Sequence, residues 1–108
     1  MTEAEISKQC IDWLTSQGWR RHRNHCGRFF TADGRRITGE EPGTPDWTFF
    51  RPVDSGTALL MYIEFKSEIG KLSKAQRESH AKLRHLGFKV LTIWSLEELQ
   101  FILRKTYG

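Results

Sequence analysis

The sequence predicts a mixed α/β fold, one sheet with helices on both faces, and three observations carry that expectation. Apolar residues recur at three- and four-residue spacing near the start, side chains alternate over 58–66, and Ser-x-x-Gln and Ser-x-x-Glu pairs open two later helical stretches. The implied order is α, β, β, β, α, β, α. A strand, a helix and a further strand call for a right-handed crossover, so part of the sheet should be parallel and covered on both faces.

The first helix follows from Ile6, Cys10, Trp13, Leu14 and Gln17, which share one face, and Gly18 is placed to end it. From Trp19 to Thr31 the pattern turns extended, a strand or hairpin, with Ala32-Asp33-Gly34 as a turn. Residues 33–45 carry Gly34, Gly39, Pro42, Gly43 and Pro45, which predicts an irregular, mobile loop. Asp46 to Arg51 is a strand, Pro52-Val53-Asp54-Ser55-Gly56 a turn, and Ala58 to Lys66 the next strand. In that strand Leu59, Met61, Ile63 and Phe65 share one face and Leu60, Tyr62, Glu64 and Lys66 the other. Leu60 and Tyr62 are expected to be packing residues. Ser73 and Gln76 open a second helix whose inner stripe is predicted as Ala75, Ser79, Leu83 and Leu86, stopped by Gly87. Phe88 to Trp94 is apolar on both faces, which predicts a central strand, and Ser95 with Glu98 opens the last helix.

At 108 residues the chain is long enough for one core and short for two, so residues 1–108 are expected to form a single domain. Apolar residues make up 38% and charged residues 28%, the balance of an ordinary soluble globular protein. No run approaches the roughly 18 apolar residues of a membrane span, and the start, with Thr2, Glu3 and Glu5, lacks a basic segment leading into an apolar one. A soluble, cytoplasmic protein with no membrane partner is expected. Cys10 and Cys26 offer no disulfide framework, and His22, His25 and Cys26 alternate in direction on an extended segment, a poor zinc shell. The net charge of +4 is uneven: Arg20, Arg21, Arg23, Arg28, Arg35 and Arg36 fall in one stretch where Asp33 is the only acid. Such a stretch suits a polyanion, and these arginines are the expected nucleic-acid contacts. Taken alone, a charge run is as well explained by solubility; it gains meaning beside a catalytic site.

Hydrolysis of a phosphodiester needs a water deprotonated and negative charge stabilised, and a divalent cation held by carboxylates does both. Mg²⁺ suits such a site because it takes oxygen ligands and keeps several waters. Asp46 stands at the start of one strand after Pro45, and Glu64 on the next, so the two carboxylates can converge on one ion. The backbone carbonyl of Phe65 is a possible further ligand. Lys66 lies roughly 6.6 to 6.8 Å beyond Glu64 on the same face, in reach of the same phosphate.

Gly43-Thr44-Pro45-Asp46 with Glu64-Phe65-Lys66 resembles the two central motifs of the PD-(D/E)xK nuclease superfamily, with its restriction-endonuclease-like core. The continuation Gly70-Lys71-Leu72-Ser73-Lys74-Ala75-Gln76, then Leu83 and Gly87, resembles the virus-type replication-repair nuclease (VRR-NUC) family within it, over nearly the whole chain. That resemblance implies dependence on Mg²⁺ or Mn²⁺, an active-site role for Gln76, and an acid on the first helix. The acid is Glu3 or Glu5; Glu3 shares its face with Ile6, Cys10 and Leu14. Lys71 and Ser73 join the expected nucleic-acid contacts. Stand-alone bacterial and phage members of this size resemble homodimeric Holliday-junction resolvases, so branched DNA in a repair setting is the implied substrate. The rival reading is a non-catalytic nucleic-acid-binding module on a nuclease-like fold. The intact Asp46, Glu64 and Lys66 argue against it, since a degenerate member would more often have lost a carboxylate or the lysine.

Overall fold

Thr2 starts the first helix. In the computed structural model, which describes residues 1–24, 28–30, 36–38 and 42–107, its hydroxyl accepts the Glu5 N–H at 3.2 Å while Glu5 reaches back to Thr2, so two orphan donors are satisfied at once. Helix α1 (Glu3–Ser16) then buries Ile6, Cys10 and Leu14, the stripe the spacing predicts. Cys10 is fully buried, and burial pushes its thiol up to about 12, which leaves it an inert packing group.

Strand β1 (Arg20–Arg23) lies at one edge of a four-stranded sheet, followed in order by β4 (Trp47–Asp54), β5 (Thr57–Phe65) and β6 (Lys89–Ile93). Between β1 and β4 in the chain comes a separate antiparallel pair, β2 (Arg28–Phe30) with β3 (Arg36–Thr38). This corrects two expectations. The stretch 19–31 holds two strands in different sheets, and 33–45 is not wholly irregular, because Ile37 and Thr38, both β-branched, sit in a three-residue strand with β2 as its partner. The Ala32-Asp33-Gly34 turn and the positions of His25, Cys26 and Arg35 lie outside the described residues.

Strand β4 (Trp47–Asp54) runs three residues past the predicted end at Arg51 and forms a hairpin with β5 (Thr57–Phe65). Pro52, expected in the turn, instead sits opposite Ala58, next to a register irregularity between Pro52 and Asp54, one of the few strand positions a residue without N–H can take. The turn shrinks to Ser55-Gly56, where Gly56 at φ +88° supplies the left-handed residue a tight hairpin needs.

Helix α2 (Lys74–His85) opens with the predicted Ser73 and Gln76 pairing, but its inner face differs. Ala75 and Leu86 are exposed, Ser79 and Leu83 half-buried, and the one fully buried residue is His80. An apolar stripe was the wrong guide here, because part of this helix faces the buried polar group Glu64. Strand β6 (Lys89–Ile93) pairs with β5 in parallel, as the crossover requires, yet it is an edge strand of the sheet and not a central one. Its apolar run reports cover by helices on both faces, α2 on one and α3 (Leu96–Tyr107) on the other. At the start of α3, Ser95 Oγ accepts the Glu98 N–H at 3.1 Å, while Glu98 reaches back to the Trp94 N–H.

Phe49, Met61, Ile63, Phe65 and Ile93 of the sheet pack with the inner residues of α1 and α3 into one core. Cutting a ring such as Phe65 back to Ala would cost about 3–5 kcal/mol. Among the described residues no helix is long and apolar enough to cross a membrane.

Candidate active site

The β4–β5 hairpin sets the first half of the site. Trp47 pairs with Ile63, and one step further along the same register puts Asp46 opposite Glu64, where cross-strand side chains lie about 4.5–5.5 Å apart. Asp46 itself precedes the strand, but its carbonyl accepts the Asn24 N–H at 2.7 Å, so the ladder to β1 extends over it. Helix α1 brings the third acid. One carboxylate oxygen from each of Glu3, Asp46 and Glu64 lies within 4.8 Å of the others.

This geometry separates the two candidate acids of α1. Glu5 is engaged with the Thr2 N–H and hydroxyl, at 3.4 and 3.0 Å, whereas Glu3 joins the carboxylate cluster. A cleft of about 360 Å³ opens beside it, lined by Glu3, Ser7, Arg23, Asp46, Trp47 and Phe65. Phe65 has its ring in the core, as the strand alternation predicts.

Glu64 is 1% exposed, with its Oε1 buried and unpartnered. Burial, then a hydrogen bond and repulsion from Asp46, push its carboxyl up to about 8, with Glu3 adding to the rise and Lys66 opposing it. Three acids converging with a buried, unsatisfied oxygen form an all-oxygen donor set that fits a hard divalent cation.

Lys66 follows β5 directly, its N–H donating to the Ile93 carbonyl at 2.9 Å, and its charge reaches both Glu64 and His80. Gln76 completes its capping box: Oε1 accepts the Ser73 N–H at 2.9 Å, and its own N–H donates to Ser73 Oγ at 3.1 Å. What its side chain retains is the NH₂, a donor. Gly43 explains how this helix start is held near Asp46. At φ +87° its Cα packs against the first turn of α2, where a Cβ would collide with the Ala75 carbonyl and stand 2.7 Å from Gln76 N. Lys71 is exposed in the loop ahead of Ser73.

With this geometry in place, the comparison of sequences is decisive: the VRR-NUC domain model matches residues 3–94, from the first residue of α1 to just past β6. The chain belongs to the VRR-NUC family. Among curated proteins no relative matches it. VRR-NUC is a nuclease family, and the acids brought together here are the ones the two central motifs and the first helix single out.

The basic residues of this VRR-NUC chain divide by position. Arg20, Arg21, His22 and Arg23 are all exposed on the edge strand, with Arg23 over the Trp47 ring at 5.2 Å and lining the cleft. Arg28 and Arg36 belong to the β2–β3 pair. Two site neighbours escape sequence reasoning. Asn24 is buried, and its Nδ2 donates to the Pro45 carbonyl at 2.9 Å and to Thr48 Oγ1 at 3.0 Å. His80 is fully buried with its Nε2 3.9 Å from Glu64 Oε1. Asn24 has no signal in its surroundings, but His80 stands four residues after Gln76 and so on the same helix face.

Proposed function

We propose that this chain is a metal-dependent, structure-specific DNA endonuclease that hydrolyses phosphodiesters, with a four-way junction as its preferred substrate. The observation that carries the reading is the triple carboxylate cluster with Lys66 at its side. Asp46 and Glu64, with Glu3 and the Phe65 carbonyl, would hold Mg²⁺ or Mn²⁺. Such an ion supplies an activated water and a positive charge against the oxygens of the phosphate.

The chain's own groups do the rest. Lys66 places an ammonium where charge accumulates on the scissile phosphate. Gln76 aims its free NH₂ at the attacking water or a phosphate oxygen, held in place by its bond to Ser73. Arg23, at the mouth of the cleft, anchors a phosphate next to the one cut, and Arg20 and Arg21 continue that track along the edge strand. Arg28, Arg35, Arg36, Lys71 and Ser73 are further contacts to the DNA in this reading.

A junction has approximate two-fold symmetry, and a homodimer would set two such sites on opposing strands. Labelled four-way junction, flap, single-stranded and linear duplex DNA, incubated with Mg²⁺, Mn²⁺ or EDTA, test the reading. Paired symmetric nicks in the junction with metal alone are expected, together with a dimer in light scattering. Binding of all four DNAs without cleavage under either metal would replace this reading with a non-catalytic binding module.

A further inference from the structure

A fully buried histidine with no hydrogen bond is rare, since interiors seldom leave polar side chains unpaired. His80 on α2 has neither Nδ1 nor Nε2 partnered. It does not stand alone in this. Glu64 Oε1 is also buried and unpartnered, and so is Thr92 Oγ1, on the β6 residue paired in register with Glu64 and therefore on the same sheet face. Three polar side chains are thus buried on the α2 side of the sheet, and two of them, His80 and Glu64, approach each other.

The approach of His80 Nε2 to Glu64 Oε1, 3.9 Å, is not an ion pair. Burial first, then the Arg84 and Lys66 charges, lower the affinity of His80 for a second proton, with Asp46 alone opposing them. A neutral imidazole has one N–H to give and one lone pair to receive. The acceptor in front of Nε2 is Glu64 Oε1, about 0.7 Å beyond hydrogen-bond range. A carboxylate oxygen in that place is a charged acceptor, the stronger kind.

From this arrangement we infer that His80 is a positioning residue for the nuclease site, its Nε2–H holding Glu64 Oε1 so that the other carboxylate oxygen faces the cation. The inference rests on the proposed metal site, and it gives α2 a second part in that site besides Gln76. What the histidine adds at this depth is a donor; a packing residue of similar size would fill the space equally well.

The test is Mn²⁺ affinity, read from the free-ion signal in electron paramagnetic resonance, for the wild type, His80→Phe and His80→Gln. His80→Phe keeps the volume without the donor and is expected to bind Mn²⁺ about 10–100-fold more weakly, the usual effect of losing a partner of a metal ligand. His80→Gln restores an N–H donor and is expected to recover most of that affinity. Equal affinity in His80→Phe and wild type overturns the inference, as does a His80→Gln protein as weak as His80→Phe. Should His80→Phe not fold, the imidazole ¹⁵N shifts of the wild type decide. They are expected to show an Nε2–H tautomer that moves on adding Mg²⁺, and a ring insensitive to Mg²⁺ overturns the assignment. A wild type that binds no Mn²⁺ at all would instead remove the metal site on which both readings stand.

Discussion

Glu64 carries the tension of three carboxyls brought together at one place. Its carboxyl stands at about 8 in the metal-free fold against 4.5 for the free group, so the folded chain holds this proton more tightly than the unfolded one. Stability from that preference is complete below about pH 4.5, falls as pH rises, and is lost above about pH 8, a span on the order of a few kcal/mol. The metal-free protein should therefore melt lower at about pH 8.5 than at about pH 5.5, and Mg²⁺ should raise the melting temperature more at the higher pH, where the proton no longer competes. Thermal melts of wild type and Glu64→Gln check this. The variant is expected to lose both the pH dependence and the Mg²⁺ effect, and a wild-type slope of opposite sign would show that the carboxyl is not held protonated. Asp46, Glu64 and Lys66 were legible in the sequence because strand alternation fixes who shares a face. Asn24 and His80 were not, because each matters through its approach to a distant element, Pro45 for one and Glu64 for the other.

Among the elements, the glycine loop and α2 form the mechanical part of the site. Gly43 has both a left-handed backbone and no room for a side chain against Ala75, so Gly43→Ala must shift either the loop or the helix start. A displacement of about 1 Å at Asp46 or Gln76 is worth about 10²-fold in rate. Gly43→Ala is expected to stay folded, bind DNA, and lose about that factor in cleavage, measured by single-turnover kinetics; unchanged kinetics would detach this loop from the site. The elements themselves were mostly legible, since periodicity of 3.6 or 2 reports which face is covered. What the sequence concealed were facts of neighbourhood. An apolar β6 could be an interior strand or an edge strand between two helices, and only the register with β5 decides. Likewise α2 owes its inner face to a polar cluster, which no apolar stripe announces.

Across the whole molecule, charge is segregated. The edge strand β1 presents three arginines, and α2 carries Lys74, Arg77, Lys82 and Arg84 against Glu78 alone. Helix α1, by contrast, sets Glu3, Glu5 and Asp12 against Lys8. The β1 edge and the α2 side are thus the surfaces a polyanion would meet, and both border the carboxylate cluster. Removing one cation that neutralises a phosphate lowers the dependence of log K on log salt by about 0.9. Arg23→Ala should flatten that slope by about 1 and weaken all DNA substrates alike, as fluorescence anisotropy across a salt series would show; an unchanged slope would take Arg23 off the DNA track. The fold class and its mixed sheet were legible at this scale, whereas the pairing of β2 with β3 was not, because short strands between glycines leave little periodicity to detect.

The proposed hydrolytic centre is three carboxylates and one lysine. Single-turnover cleavage of a labelled four-way junction at saturating Mg²⁺, with wild type beside Lys66→Ala and folding checked by circular dichroism, tests it most directly. A fall of at least about 10²–10³-fold is expected in Lys66→Ala, with junction binding largely kept, as when a group that stabilises developing charge is removed. Equal rates in the two proteins would contradict it.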